Sequence, residues 1–393
     1  MSGAPAPPRE SITRLLVVEI FFVFFLGFTV APLLPRLAGA FRTDVAHVAV
    51  LIPAYTIPYG VICLVVGPVA DRLGRGRMLR WLLAGTVLLP ALSTTANSID
   101  WLIAWRAATG LAVGGLTPIA LALIAELFPY AERGRPVGWI FGAIAGGMAV
   151  GATAGPWLEP VVGWRGLFLL VSAANAMTAI PLTRALRRHP DRTGGVLGPA
   201  GVARNYVALL SSRRGATVYG YVFMNGVFHS GVFSWLGVYF TQRYALTPGR
   251  LGFALLGYGI PGFLLGPVVG RYADRYGRRW LIRGGLVIAG LCALALTAPL
   301  PILGATCIIT LLSFGFDLTH PLFAGIISGL DSVRTAQALA LNAFTLFLGL
   351  GVGSLLFGKL YVSFGIATAL TGFGLVQLAM ALASSLLFDR TWR

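Results

Sequence analysis

The sequence predicts an all-α polytopic membrane protein, with twelve transmembrane helices in two pseudo-symmetric six-helix bundles. Three observations carry this expectation. The 393 residues are 57% hydrophobic and only 11% charged, with a mean hydropathy of +0.82, too apolar for a chain that must clothe itself in a water-facing surface. Apolar runs of span length recur, centred near residues 24, 56, 88, 113, 147, 173, 228, 260, 289, 315, 345 and 376, and crossing about 30 Å of hydrocarbon takes roughly 20 such residues per helix. The third observation is a sentence written twice: "GPVADRLGRGRM" begins at Gly67 and "GRYADRYGRRWL" at Gly270, so that Asp71 and Asp274 lie 203 residues apart.

Along the chain, the opening "MSGAPAPPRESITR" has the charge of a signal-peptide start. The apolar run after it is of span length and many more follow, so it reads as an uncleaved first helix. The net charge of +17 matters less than its placement. Twenty-three Arg and Lys residues fall in the N-terminal tail, the even-to-odd loops and the C-terminus, six fall on the opposite side, and Arg106 falls inside a span. The positive-inside rule then places both termini and the large central loop in the cytoplasm of a protein of the cell (inner) membrane. Nucleic-acid binding needs a soluble basic face with interleaved aromatics, which is absent.

Cys63, Cys292 and Cys307 all lie in predicted spans with no ligand spacing, so they read as packing residues and no metal site or disulfide is expected. Between the sixth and seventh spans, "RALRRHPDRTGGVLGPAGVARNYVALLSSRRG" is rich in Arg, Gly, Pro and Ser and holds no span. The expected organisation is therefore an N-terminal bundle over 1–183, a cytoplasmic linker over 184–215 and a C-terminal bundle over 216–393. Each copy of the Gly-Asp-Arg sentence sits between the second and third helix of its half, as internal duplication requires.

Further echoes support the duplication. Glu126 and Arg133 after the fourth span find counterparts in Asp331 and Arg334 after the tenth. The ladder Gly147, Gly151, Gly155 of the fifth span has a shorter copy in Gly349 and Gly353 of the eleventh. Small residues at this spacing let helix backbones approach closely, and close packing between the halves is the expected use.

These motifs resemble the major facilitator superfamily over essentially the whole chain. Gly67, Asp71, Arg72, Gly74 and Arg75, and again Gly270, Asp274, Arg275, Gly277 and Arg278, look like that family's loop motif. The resemblance implies alternating access by two rocking bundles, and a conformational latch at the loop motif in which Asp71 is the central acid. An aspartate just ahead of a helix is also placed to accept backbone N–H bonds, and arginines suit the headgroup layer. "LIAWRAATGLAVGG", with Arg106 and Gly110, and "GATAGPW", with Gly151, Gly155 and Pro156, resemble motifs of the twelve-span drug:proton antiporter branch. Thr109 stands where that branch often has glutamine, and Trp157, Leu158, Glu159 and Pro160 replace its usual glycine pair.

Ionisable groups inside spans cost roughly 2.5–3.5 kcal/mol even on the lenient insertion scale, so each calls for a reason. Glu19 lies in the first span, Arg106 in the fourth, His229 in the seventh, and Asp317 and His320 in the tenth. One in every third helix is what a central cavity would produce. Tyr221, Asn225 and His229 form one polar stripe at i, i+4 and i+8, read as lining that cavity, with helix-to-helix hydrogen bonding as the alternative. Asp317 and His320, three apart and just before Pro321, are placed to pass a proton or to stabilise a bend. Glu19 is open to three roles: binding a cationic substrate, carrying the proton, or pairing with Arg106. Arg106 cannot deprotonate, so it tunes a nearby acid or holds an anionic group. Glu126 and Glu159 sit at helix ends and read as solvated ends or loop anchors.

The leading functional expectation is a monomeric secondary transporter that exports small organic or drug-like molecules against protons. The proton gradient is its expected energy source, with no cofactor. The alternative is a symporter or facilitator for a polar metabolite such as a sugar, nucleoside or organic acid, which suits Arg106. Four histidines, no HExxH and no Walker-type glycine loop assemble no reaction centre, so an enzyme or ATP-driven pump is not expected.

Overall fold

The computed structural model describes residues 9–129, 132–187, 198–261, 269, 272–273, 275, 277–331 and 334–387. Among them every regular element is helical. Six helical stretches are long and apolar enough to cross a membrane by length and composition alone: Arg9–Phe41, Val45–Leu73, Ile99–Leu127, Gly134–Arg187, Ile302–Ser328 and Thr335–Ser384. The fourth of these folds back at Gly163 (φ 70°) into the fifth and sixth spans. Gly365 (φ 81°) likewise divides the last into the eleventh and twelfth. Arg75–Ser93, Arg213–Tyr244 and Arg278–Ala295 supply the third, seventh and ninth spans, and the eighth is described as Pro248–Leu255 and fragments beyond it.

The duplication is visible in the backbone itself. Left-handed Arg42 (φ 52°) recurs as Ala245 (φ 49°), and Gly74 (φ 96°) recurs as Gly277 (φ 86°), each pair 203 residues apart. Positive φ is uncommon for residues other than glycine, so its return at one register is a property of the repeat. Asp44 and Thr247, at the same offset, both start helices in extended backbone.

Packing within each half runs through glycine. Added side chains at Gly147 and Gly151 would meet the Phe21 and Phe25 carbonyls of the first span, and at Gly155 the Thr29 side chain. Thr29 Oγ1 also reaches Gly151 O at 3.1 Å. Gly349 and Gly353 meet the Phe223 and Val227 carbonyls of the seventh span in the same way. Both ladders therefore close a helix pair inside one half. This corrects the expectation that they join the two halves: the first and fifth spans are neighbours in one half, and the seventh and eleventh in the other. Contact between halves falls to other residues. Gly60 packs on Phe344, Gly351 on Thr56 and Ile57, and Gly237 on Pro32, while Trp157 Nε1 donates to Gly249 O at 3.0 Å.

Of the two readings open for the charged helix ends, the anchored one is observed. Glu159 is 7% exposed and accepts from Arg36 Nε and Nη2 at 2.9 and 3.3 Å, tying the fifth span to the extended first one. Asp71 lies in the last turn of Leu51–Leu73, just ahead of the helix that begins at Arg75. Its bonded partner is the Arg75 guanidinium, at 3.0–3.2 Å, and not a backbone N–H. Arg75 Nη1 reaches on to Glu126 Oε1 at 2.6 Å, so Glu126 is part of this cluster and not a solvated end. The loop motif is thereby fastened to the fourth span of its own half. In the second copy, Gly270 and Asp274 lie outside the described residues, while Gly277 repeats the break of Gly74 and Arg278 packs beside Gly325.

The linker holds no span, but Pro199–Ser211 forms a helix within it. Tyr206 donates its hydroxyl to Leu64 O of the second span at 2.7 Å, and Asn205 Nδ2 donates to Gln337 of the eleventh at 2.8 Å.

The glycine packing predicts opposite results at two positions of the fifth span. Gly151→Val forces the first and fifth spans apart and lowers the melting temperature of the detergent-solubilised protein. Gly138→Ala, with nothing within 4 Å of the new methyl, leaves it equal or raises it, since alanine is the better helix former by about 1 kcal/mol. A Gly151→Val protein as stable as wild type would contradict the packing described.

Candidate functional site

Where the glycine contacts give way, a small cavity of about 30 Å³ lies between the halves. Its walls come from the first, second, seventh and eleventh spans, not from the first, fourth, seventh and tenth as expected. They include the aromatic residues Phe24, Phe28, Tyr55, Tyr59, Phe233 and Phe347, with His229, Thr56, Ser230 and Ser234 as polar members. Tyr59 of one half stacks on Phe347 of the other with centroids 3.9 Å apart.

Arg106 stands behind this wall. Gly110, one turn further along the fourth span, packs directly on the Tyr55 carbonyl. That approach brings the Arg106 guanidinium over the Tyr55 ring, 4.2 Å from its centroid. Arg106 is 1% exposed, and none of its Nε, Nη1 and Nη2 atoms has a hydrogen-bond partner among the described residues. Thr109 gives its hydroxyl to Trp105 O at 2.7 Å. A cation–π contact stabilises a charge by about 0.5–2 kcal/mol, whereas leaving a buried charge without its partner costs about 3–5 kcal/mol. The site is therefore electrostatically incomplete as it stands.

Glu19 does not complete it. Its carboxylate accepts from Thr178 Oγ1 at 2.6 Å and Thr86 Oγ1 at 3.2 Å, at the junction of the first, third and sixth spans and away from the pocket. Pairing with Arg106, one of the roles left open by the sequence, does not occur.

The polar stripe of the seventh span divides. Tyr221 donates to Met380 O at 2.9 Å. Asn225 donates to Thr319 Oγ1 at 3.0 Å and accepts from Gln377 Nε2 at 3.5 Å. Both side chains bond the seventh span to the tenth and twelfth, so for them helix-to-helix bonding replaces the cavity reading. His229 alone of the three lines the pocket. Its Nδ1 is 3.0 Å from Tyr258 Oη, its Nε2 has no partner among the described residues, and its ring stacks on Phe316 at 3.8 Å.

In the tenth span, Ser313 Oγ accepts from Gly259 N–H at 2.9 Å and donates to Asp317 Oδ2 at 3.3 Å. His320 also stacks on Phe316, with centroids 5.4 Å apart. The structure thus gathers His229, Asp317 and His320 around Phe316 and Tyr258 in one half. Arg106 stands apart beside Tyr55 in the other. The aromatic walls and Tyr258 were not singled out by sequence. Aromatic residues crowding the first, second and seventh spans were the available signal.

A model described as "Major Facilitator Superfamily" matches residues 16–330 and 222–391. The chain is 26% identical over 364 residues to the uncharacterized MFS-type transporter YwfA of Bacillus subtilis, covering 90% of this chain and 86% of that one. It is 26% identical over 302 residues to a probable L-galactonate transporter of Escherichia coli, covering 71% and 65%. It is 39% identical over 147 residues to the puromycin resistance protein pur8 of Streptomyces alboniger, covering 37% and 28%. In fold it is similar to a bacterial homolog of the human lysosomal transporter Spinster, with a TM-score of 0.80 at 16% identity over 99% of this chain and 98% of the other.

The helix-to-helix role of Asn225 predicts a coupling. Asn225→Leu lowers stability by roughly 0.6–1.7 kcal/mol, the range measured for interhelical hydrogen bonds in a bilayer. Combined with Gln377→Leu, the loss is smaller than the sum of the two single losses. Strict additivity in thermal or denaturant unfolding would place the two side chains apart.

Proposed function

We propose, from the premise that the chain belongs to the Major Facilitator Superfamily, that it is a secondary active transporter whose substrate is a small organic anion. The observation that carries this reading is the buried Arg106 guanidinium, which has no hydrogen-bond partner among the described residues. A guanidinium stays charged at any pH the protein meets, and a carboxylate offers it the bidentate hydrogen bonds that it lacks. The aromatic wall supplies apolar surface for the organic part of such a substrate, and the ring of Tyr55 joins the two regions. Binding would remove an electrostatic deficit, and rocking of bundles 1–183 and 216–393 about the pocket would expose the bound anion to one side at a time.

The similarity to a probable L-galactonate transporter supports an organic acid as cargo. The charge placement supports cytoplasmic termini in the cell membrane. Drug export is the second reading, supported by "GATAGPW" and by the partial similarity to a puromycin resistance protein. A cationic drug in this pocket would be repelled by Arg106, and Glu19 is turned away from it.

Transport in proteoliposomes separates the readings. The wild type is expected to move small aromatic carboxylates such as benzoate, with kcat/KM reduced about tenfold or more in Arg106→Met, as losing a charged hydrogen bond of about 1.5–3 kcal/mol requires. Cells expressing it are expected to retain a cationic dye as empty-vector cells do. Dye export that survives Arg106→Met would overturn the anion reading in favour of drug export.

A further inference from the structure

Glu19 has no exposed surface, and among the described residues no arginine, lysine or histidine pairs with it. An ionised carboxylate in that position needs a countercharge, and its surroundings indicate which kind. Thr86 Oγ1 and Thr178 Oγ1 both donate to it, yet each has a second acceptor on its own helix: Leu83 O at 2.8 Å and Asn175 O at 3.1 Å. A hydroxyl has one hydrogen and two lone pairs. Each threonine can therefore turn its hydrogen to the helix and present a lone pair to the junction.

Asn175 stands beside Thr86. It is 1% exposed, and its Nδ2 donates to Thr86 O at 3.2 Å, a carbonyl left without its helical donor because Pro90 has no N–H. Its Oδ1 is buried with no donor among the described residues. The two Glu19 oxygens, two hydroxyls and one amide oxygen carry one negative charge between them and include no nitrogen or sulfur ligand. Oxygen-only donors suit hard cations, and a single carboxylate balances a single positive charge.

We infer that Glu19, Thr86, Asn175 and Thr178 form a sodium-binding site within the N-terminal half, separate from the substrate pocket. The first span links the two: Glu19 is followed on that helix by Phe24, Gly27 and Phe28, all pocket residues. Occupancy of the junction fixes the first span against the third and sixth, and so acts on the pocket wall. The inference is independent of the charge of the transported molecule.

The test uses purified full-length protein in nanodiscs, titrated with sodium chloride against potassium and choline chloride at fixed ionic strength. Thermal stability and radioactive sodium binding are the readouts. The wild type is expected to gain stability saturably with sodium and not with potassium or choline. Glu19→Gln is expected to abolish the response, and Thr178→Val to raise the sodium needed by about tenfold or more, the scale on which even outer-shell partners of a bound metal act. A wild type indifferent to sodium, whether or not it responds to pH, overturns the site. So does a sodium response undiminished in both variants. If Glu19→Gln fails to fold by gel filtration, Thr178→Val supplies the same comparison.

Discussion

Close approach of helix backbones, permitted by glycine, is the constraint on which the rest of this structure depends. In lipid there is no hydrophobic drive between helices, so van der Waals contact must hold them, and only residues without side chains let carbonyl meet helix axis. Gly147, Gly151 and Gly155 hold the first span to the fifth, and Gly349 and Gly353 hold the seventh to the eleventh. The pairs Gly147–Gly349 and Gly151–Gly353 share the offset of 202 residues that separates Gly163 from Gly365. The duplicated part of the sequence is thus its packing part. Aromatic rings fill the space left where these contacts end, and that space is the pocket.

The polar residues of interest break the repeat. At the 203-residue offset, Arg106 faces Ile309, Glu19 faces Val222, and Asp317 faces Gly114. Duplication supplies a symmetric frame, and each half then carries its own charge into it: a guanidinium with no acidic partner among the described residues in one, and a histidine and aspartate cluster in the other. Elsewhere the interior is conservative. Tyr219, Tyr239 and Ser172 each give their hydroxyl to a backbone carbonyl of a neighbouring helix, as a medium without water demands. Arg106 stands out against that background as a strong donor set with no acceptor among the described residues.

Much of the frame was legible in the sequence because length and apolarity specify a span, and because a duplicated motif reports its own symmetry. Side-chain direction was less legible. Tyr221, Asn225 and His229 at i, i+4 and i+8 drift by about 80° around a helix of 3.6 residues per turn. That is enough to send the first two into the interior of their own half and the third to the pocket. Glycine spacing identified close packing but not the partner, since the ladder looks the same whether its neighbour is in the same half or the other. Glu126 and Glu159, placed at ends by sequence, are drawn into ion pairs by Arg75 and Arg36, whose long side chains reach across loops that periodicity does not describe. Thr86, Asn175 and Thr178 gave no signal, since single small polar residues in apolar runs are common.

The central claim is that the charge of Arg106 awaits an anion. Calorimetric titration of the purified protein with benzoate and with benzamide, which share a ring and differ in charge, tests it most directly. The account predicts binding of the carboxylate, no measurable binding of the amide, and loss of carboxylate binding in Arg106→Met. Equal binding of both ligands, or carboxylate binding that persists without the guanidinium, would contradict it.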